Sequence, residues 1–310
     1  MNASPEPLVS MIMPAWRPRP DWLLEAVNSA LGQRDCSFEL IVVDDGSPEP
    51  VESLLADVQH PELRVLRVEH GGPSHARNAG IEAARGRLLR FIDADDSYPP
   101  DGTARLARLI GNRDDVIAYG RTVFCDEELR PVWTMSSDLE GALGVNAMLS
   151  RFTVRIQSLL FPRAVIDATG PWDPSFPVCG DLDFIVRATE HAEVRGDPVV
   201  ATHYRKHSSS QSSDIVRGDE GVRRMMEGYF ERHPEARGSR LERTAAAMRH
   251  AIAARAYFSR GQIGQTVRRL ARSIALDPRA AVAEARLALP AVTGRLSRTI
   301  RPGRRGREHG

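Results

Sequence analysis

Residues 38–47 read FELIVVDDGS. Six residues rich in Ile, Leu and Val have the length and β-branched content of a buried strand, and the run stops on two carboxylates, a glycine and a serine. A continuous apolar strand of this kind belongs to a parallel sheet covered on both faces. Outward from it the same pattern repeats. Leu8–Met13 (LVSMIM), Leu63–Val68 (LRVLRV), Leu88–Ile92 (LLRFI) and Val116–Phe124 (VIAYGRTVF) predict further strands. Between them lie helical patterns over Asp21–Gly32, Val51–Val58, Ser74–Arg85 and Asp101–Ile110. Pro and Gly punctuate the joins, at Pro18, Pro20, Pro48, Pro50, Gly71, Gly72, Pro99 and Pro100. Strands alternating with helices of about a dozen residues make βαβ units, hence an α/β fold with a mostly parallel sheet flanked by helices. Ligands of such sheets sit at the carboxyl ends of the strands, so the residues directly after each strand carry most weight.

After the second strand comes Asp44-Asp45-Gly46-Ser47, and after the third His70-Gly71-Gly72-Pro73-Ser74-His75-Ala76-Arg77-Asn78-Ala79-Gly80. After the fourth comes Asp93-Ala94-Asp95-Asp96. Five carboxylates therefore gather along one sheet edge. Two like charges about 4 Å apart repel by about 4 kcal/mol at an effective dielectric near 20. A close cluster calls for a cation, and hard oxygen ligands suit Mg²⁺ or Mn²⁺. Taken singly, each acid reads equally as a solvated strand end or a helix cap. His70 and His75 lack a carboxylate at a telling spacing and read as structural. Trp16, Trp172 and Phe176 have the faces to stack on a sugar or base, or to pack in a core.

Taken together and in order, VSMIMPAW, IVVDDGS, HGGPSHARNAG and LLRFIDADD resemble the family 2 glycosyltransferases, inverting enzymes of the GT-A (Rossmann-like) fold, over roughly residues 8–210. The resemblance implies that Pro14 and Ala15 place backbone against the donor's base, that Asp44 meets the base edge, usually uracil, and that Asp45 to Ser47 shape the pocket. It puts Arg77 and Asn78 beside the nucleotide. Asp93, Ala94 and Asp95 become the DxD motif, with Asp93 at the ribose or metal and Asp95 binding the ion that bridges the diphosphate. Downstream, VCGDLDFIVR resembles the acceptor-side motif, usually Glu-Asp-Trp-Asp before apolar residues and Arg. This puts the catalytic base at Asp181, with Gly180 where Glu is usual and Leu182 where Trp is usual. The alternative for Asp181 or Asp183 is a helix cap. His203-Tyr204-Arg205-Lys206-His207 resembles a late Tyr-Arg-x-His segment, which makes His207 a third metal ligand and brings Arg205 and Lys206 to phosphate. The implied partners are a nucleotide-sugar donor, most simply a UDP-sugar, and a glycan, lipid-linked or small-molecule acceptor, in polysaccharide, cell-envelope or other glycan biosynthesis. A sugar-nucleotide-binding protein with a decayed acceptor site is the reading from a different class. A nucleotidyltransferase lacks support, because no Gly-rich loop with Lys in the phosphate-binding pattern occurs.

The rest of the chain bounds these readings. After Phe124 the alternation loosens; Arg155–Phe161 predicts one more strand and Asp181–His191 a helix, and Ser208–Asp214 a flexible loop. From Glu220 only helical patterns remain, with Ala245–Phe258 and Ile263–Leu276 reading as one tetratricopeptide-like hairpin. The expected organisation is a sugar-nucleotide domain over 1–217, a C-terminal α-helical extension over 218–296, and a basic disordered tail over 297–310. Of 310 residues, 42 are basic and 41 acidic, a net charge of +1, and Lys206 is the sole Lys. That balance excludes a uniformly basic nucleic-acid binder, so no nucleic acid is expected. It conceals an asymmetry: 22 basic against 34 acidic side chains up to residue 220, and 20 against 7 after it. The basic end (Arg295, Arg298, Arg301, Arg304, Arg305, Arg307) suggests peripheral contact with anionic membrane, against the plainer reading of a basic helix surface. Three well-separated cysteines, Cys36, Cys125 and Cys179, read as reduced thiols, and with no secretory leader or apolar span the expectation is a cytoplasmic protein.

Overall fold

In the computed structural model the first apolar run becomes the central strand β1, Val9–Ala15, with a neighbour on each side. The structure describes residues 6–135, 142–151, 154–176, 178–207 and 214–282. The first half follows the predicted alternation: α1 (Pro20–Leu31), β2 (Phe38–Asp45), α2 (Val51–Leu54), β3 (Leu63–Val68), α3 (Pro73–Ala83), β4 (Leu88–Phe91), α4 (Gly102–Ile110) and β5 (Val116–Cys125). The helix expected through Val58 closes after one turn at Leu54. The second half adds β6 (Pro131–Met135), β7 (Ala142–Leu143), α5 (Val145–Arg151), β8 (Leu159–Pro162), α6 (Arg163–Thr169), α7 (Gly180–Ala188) and β9 (Glu193–Arg205). Helices α8 (Ile215–Arg232), α9 (Arg240–Phe258) and α10 (Ile263–Leu276) follow.

Among the described residues one sheet holds the strands in the order β3-β2-β1-β4-β8-β5-β9-β7, with β6 on β5. Strands β3, β2, β1 and β4 run parallel, as do β5 and β9. Strand β8 is antiparallel to both β4 and β5 and joins the two parallel groups. The strand expected at Arg155–Phe161 starts late, because Ile156–Ser158 winds into a 3-10 turn first.

Burial explains why the central strands read as unbroken apolar runs. Every residue of β2 and all of β1 but Pro14 are buried, with α1 packed through Leu23, Ala26, Val27 and Ala30 into the same core. On the sheet, α3 lies so close that a Cβ on Gly80 would stand 2.4 Å from Ile12 Cγ2 and 3.2 Å from Val43 Cγ2. Close helix–strand contact thus requires glycine there. A second cluster of rings, Phe91, Phe161, Trp172 and Phe184, fills the space under α7, with Trp172 and Phe184 stacked at 4.3 Å. Trp172 has no exposed surface, so it belongs to the core and presents no face to a sugar.

Two compact units emerge, residues 1–245 and 246–310, and α8 belongs to the first. In the second, Gly261 at φ +71 turns the chain from α9 into α10, the expected helical hairpin. Helix α10 buries Ser273 and leaves Ile263, Val267, Leu270 and Ile274 outward. The expected tail at 297–310 and the six arginines of the basic end, of which Arg295 precedes the tail, lie outside the described residues, as do 208–213 of the expected loop. No described helix is long and apolar enough to cross a membrane.

Candidate functional site

The carboxyl ends of β1, β2, β4 and β9 meet at one edge, and the site is built from what each strand delivers there. Strand β1 delivers Pro14, half-buried, Ala15, buried, and then Trp16, whose indole is 45 % exposed. Trp16 stacks on His70 at 4.8 Å with 20° between the planes, and the Arg17 guanidinium covers the indole at 4.7 Å.

Strand β2 delivers the two aspartates. Asp44 points under the turn that follows: Oδ1 accepts from the Ser47 amide at 2.8 Å, and Oδ2 from the Val51 amide at 3.1 Å and Arg67 Nη1 at 2.6 Å. Burial pulls this carboxyl upward, but the Ser47 and Val51 amides and the Arg67 charge outweigh it and hold Asp44 below the usual carboxylate range. Ser47 Oγ in turn accepts from the Arg17 amide at 3.0 Å, tying the β1 and β2 loops together. Gly46 has φ +69, and a Cβ there would lie 2.8 Å from the His70 amide nitrogen. Asp45 gathers the third loop, accepting from the Gly71 and Gly72 amides at 2.8 and 2.9 Å, and its Oδ2 lies 2.9 Å from His70 Nδ1. His75 Nδ1 stands 3.8 Å from the same carboxylate. His70 does have a carboxylate partner, which its spacing did not show: it pairs with Asp45 and carries the exposed indole. Sequence spacing missed this because the partner is on a different loop.

Strand β4 delivers Asp93, the partly buried Ala94, Asp95 and Asp96. One oxygen from each of the three acids falls within 4.8 Å of the others. Asp93 accepts from Arg77 Nη2 at 2.7 Å and from Gln157 Nε2. Asp95 Oδ2 lies 2.8 Å from His207 Nε2. Asp96 Oδ1 accepts from the Arg205 amide at 2.9 Å, whereas its buried Oδ2 has no partner. Burial first, then the neighbouring acids, push Asp95 up and Asp96 well up from the ordinary carboxylate range, against the pull of His207 and Arg205. The residues fit a hard divalent ion: an oxygen donor set, mutual repulsion and an unmet buried oxygen. The structure's trio is Asp93, Asp95 and Asp96; His207 touches Asp95 from outside it. Asp96, next to the motif, was legible but unused, while Gln157 had no signal in the sequence.

Arg205 does not reach out for phosphate, which corrects that expectation. It is 1 % exposed and donates Nε to the Asp95 carbonyl at 2.8 Å, Nη1 to the Glu127 carbonyl and Nη2 to Glu25 at 2.5 Å. Its guanidinium also lies 4.9 Å from the Trp22 ring, which meets His207 at 4.8 Å.

The first turn of α7 lies against the start of α3, where a Cβ on Gly180 would stand 3.3 Å from Ser74 Oγ. Asp181 is the second residue of α7, half-buried, and among the described residues it has no hydrogen-bonding or ionic partner. The helix starts after Cys179, in the left-handed region at φ +62, and no side chain caps it. Asp183 is engaged elsewhere, with Arg187 at 2.9 Å. Neither aspartate is a cap. Burial, then the Asp181 charge, push the Cys179 thiol up to about 12, so it stays protonated. Asn78 spends both amide atoms on the Trp172 backbone at 2.8 and 2.9 Å, and Arg77 covers the Trp172 ring at 4.6 Å. Asn78 therefore clamps the segment before α7 to α3.

Three comparisons bear on this geometry. The profile of glycosyl transferase family 2 matches residues 10–168. A PGL/p-HBAD biosynthesis glycosyltransferase of Mycobacterium bovis is 28% identical over 206 residues, 64% of this chain and 73% of that protein. An uncharacterized glycosyltransferase of Rickettsia prowazekii is 24% identical over 232 residues, 73% of this chain and 72% of that protein. The succinoglycan biosynthesis protein ExoO of Rhizobium meliloti is 41% identical over 95 residues, 30% of this chain, and the match spans only 26% of ExoO. A match to an uncharacterized protein of Sinorhizobium fredii likewise spans 21% of its length. In fold the chain is similar to residues 1–349 of S. aureus TarS, with a TM-score of 0.59 at 17% identity over 92% of this chain and 88% of that one. The same TarS fragment has been solved with UDP and with UDP-GlcNAc.

Proposed function

The chain belongs to glycosyl transferase family 2, and from that premise we propose that it moves a sugar from a UDP-linked donor to an acceptor hydroxyl with inversion at the anomeric carbon. The observation that carries the reading is the convergence of Asp93, Asp95 and Asp96 within 4.8 Å at the carboxyl end of β4. The TarS complexes support UDP as the carrier. Relatives named for succinoglycan and PGL/p-HBAD biosynthesis support a glycan-building role. On this reading the exposed Trp16, braced by His70, is a ledge for the base, with the Asp45 loop beside it. The Asp44 carboxylate, saturated by local donors, shapes the turn.

The chemistry asks three things of the side chains. Asp181 takes the proton of the acceptor hydroxyl as its oxygen bonds to the anomeric carbon, a contribution worth roughly 10²–10⁴-fold in rate. The sugar–phosphate bond breaks on the opposite face and its electron pair leaves with the diphosphate, so attack from one side inverts the centre. Asp93, Asp95 and Asp96 would hold Mg²⁺ or Mn²⁺, with His207 beside Asp95, and the ion would offset charge on the leaving diphosphate by several kcal/mol. Arg205, locked to the Asp95 carbonyl, the Asp96 side chain and Glu25, keeps that loop in place. We place the enzyme in the cytoplasm, and the excess of 20 basic over 7 acidic residues after position 220 favours peripheral contact with anionic membrane.

The test is a donor screen that reads UDP or GDP release with and without Mn²⁺ and an acceptor pool. Acceptor-dependent, metal-dependent UDP release is the expected result. UDP binding without turnover would establish a non-catalytic sugar-nucleotide-binding protein instead, and release of pyrophosphate would establish nucleotidyl transfer.

A further inference from the structure

Helix α10 keeps its apolar side for the outside. Ile263, Val267, Leu270 and Ile274 recur at the spacing i, i+4, i+7, i+11, which 3.6 residues per turn gather into one stripe about 60° wide. A stripe of this kind ordinarily seats a helix on its core. Here the four side chains are 56, 60, 40 and 49 % exposed. Contact with α9 runs instead through the neighbouring polar side. Ser273 is fully buried there, with an Oγ that has no partner among the described residues, and Arg269 donates Nη1 to His250 Nδ1 of α9 at 3.0 Å. Phe258, the last residue of α9, is 58 % exposed as well. A helix that spends a polar seam on its partner leaves its aliphatic stripe to be buried by something else.

Charge gives the sign of that occupant. Between residues 246 and 282 seven arginines stand against one acid, Asp277, and residues 283–310 add seven arginines against two acids. A second copy, or the chain's own end, would therefore bring positive charge onto positive charge. On α10 itself Arg268 and Arg272 are exposed on the side away from the stripe, so the helix is apolar along one face and cationic along the other. The stripe is Ile, Val, Leu and Ile, without the Trp, Tyr or Arg anchors that fix a protein partner. A bilayer interface, in contrast, receives any apolar row laid along it, and its anionic headgroups attract the arginines behind that row.

We propose that α10 is a membrane-surface helix: its 263–274 stripe sinks into the headgroup boundary of an anionic bilayer, and the arginines of this unit hold the headgroups. The inference rests on the peripheral membrane contact read above from charge and assigns that contact to α10, in place of the basic end at 295–307.

Vesicle flotation of the full chain tests it, with vesicles of phosphatidylcholine alone and of phosphatidylcholine with phosphatidylglycerol in equal parts. Wild type is expected to bind the anionic vesicles at least about tenfold more tightly than the neutral ones, and to lose most of that preference in about 0.5 M NaCl. Val267→Gln with Leu270→Gln, both at exposed positions, is expected to weaken binding at least about tenfold at unchanged charge. Arg268→Gln with Arg272→Gln is expected to weaken it by up to about fivefold for each arginine. Melting followed by circular dichroism, unchanged in both variants, reports that they fold. Wild-type binding by the Val267→Gln, Leu270→Gln variant would overturn the proposal. If Arg304→Gln with Arg305→Gln and Arg307→Gln abolishes binding in its place, the membrane reading stands and only its assignment to α10 falls. Wild type that binds neither vesicle overturns the reading and the proposal together. A dimer in sedimentation velocity that Val267→Gln with Leu270→Gln dissociates would give the stripe to a second copy and overturn the proposal as well.

Discussion

Substituting Asp95 by Asn should make the protein more stable in the absence of metal and blind to metal when it is added. The three acids of the β4 loop lie within 4.8 Å of one another, and two full charges at that separation repel by about 3.5 kcal/mol at an effective dielectric near 20. Solvent reduces this: the side chains of Asp93 and Asp95 are 32% and 37% exposed, which brings their pair to about 1 kcal/mol or less. Asp96 is buried, so its pair with Asp95 is screened less. An asparagine keeps the shape of Asp95 and an amide or carbonyl for His207, and it removes both repulsions. The expected gain is about 1–2 kcal/mol without metal, or roughly 2–8 °C in Tm for a chain of this size. Wild-type protein should show the opposite response to metal: at a hundred times Kd a bound ion adds about 2.7 kcal/mol, or roughly 5–10 °C. Differential scanning fluorimetry at pH 8, in EDTA and then across a Mn²⁺ series, reads both quantities. The reasoning is refuted if the variant melts below wild type in EDTA, or if it keeps the full Mn²⁺ shift.

Three further outcomes follow from the same contacts. Asp181→Asn should lower the turnover number for sugar transfer by about 10²–10⁴-fold while leaving UDP affinity within twofold by calorimetry, since the side chain supports no described contact. Asp44→Asn should cost about 2 kcal/mol in urea midpoints at pH 7 by breaking the Ser47, Val51 and Arg67 bonds. Because the folded-state pKa of Asp44 is depressed, its stability is present above the unfolded value near 4 and lost as pH falls through the folded one, so the wild-type and variant midpoints should converge as pH falls below about 4. Gly80→Ala should destabilise by about 1–3 kcal/mol in the same assay, because the new methyl would stand 2.4 Å from Ile12 Cγ2 and push α3 off β1.

The half of the fold built from local pattern was legible in the sequence. Strands β1, β2, β4 and β5 were each mainly apolar runs closed by polar residues, and burial on both faces is what makes such runs nearly continuous, whereas β3, at the sheet edge, reads LRVLRV and is only partly buried. Strand β9 was not legible, although it spans 13 residues. Its sequence EVRGDPVVATHYR carries Gly196-Asp197-Pro198 in the middle, a turn signature by any local rule. The sheet accommodates it by shifting register against β5 between Tyr119 and Thr122, and a long-range pairing of this kind leaves no local trace. The site shows the same division. Asp45, Asp93, Asp95 and Asp181 were found because each directly follows a readable strand or starts a readable helix. Gln157 and Glu25 reach their partners, Asp93 and Arg205, across 64 and 180 residues of sequence, and only the folded sheet brings them there.

The arginine excess, which composition alone reads as a bias, has a physical role at this edge. A row of carboxylates at strand ends needs positive charge that persists at every working pH and that can be buried without losing its hydrogen bonds. Three guanidiniums supply it: Arg77 on Asp93, Arg205 on the Asp95 carbonyl and Glu25, and Arg90 inside the sheet. Arg90 is 0 % exposed and bonds only neutral oxygens, those of Thr103, Gln157 and Ala201, with Tyr98 beneath it at 3.6 Å. No carboxylate among the described residues pairs with it. It lies on β4 three residues before Asp93, with its guanidinium held inside the sheet. A lysine there would have one nitrogen for three acceptors and would shed its proton when buried, whereas the guanidinium forks to all of them and stays charged. Charge is therefore arranged in layers here, with buried guanidiniums inside the sheet and carboxylates at its edge.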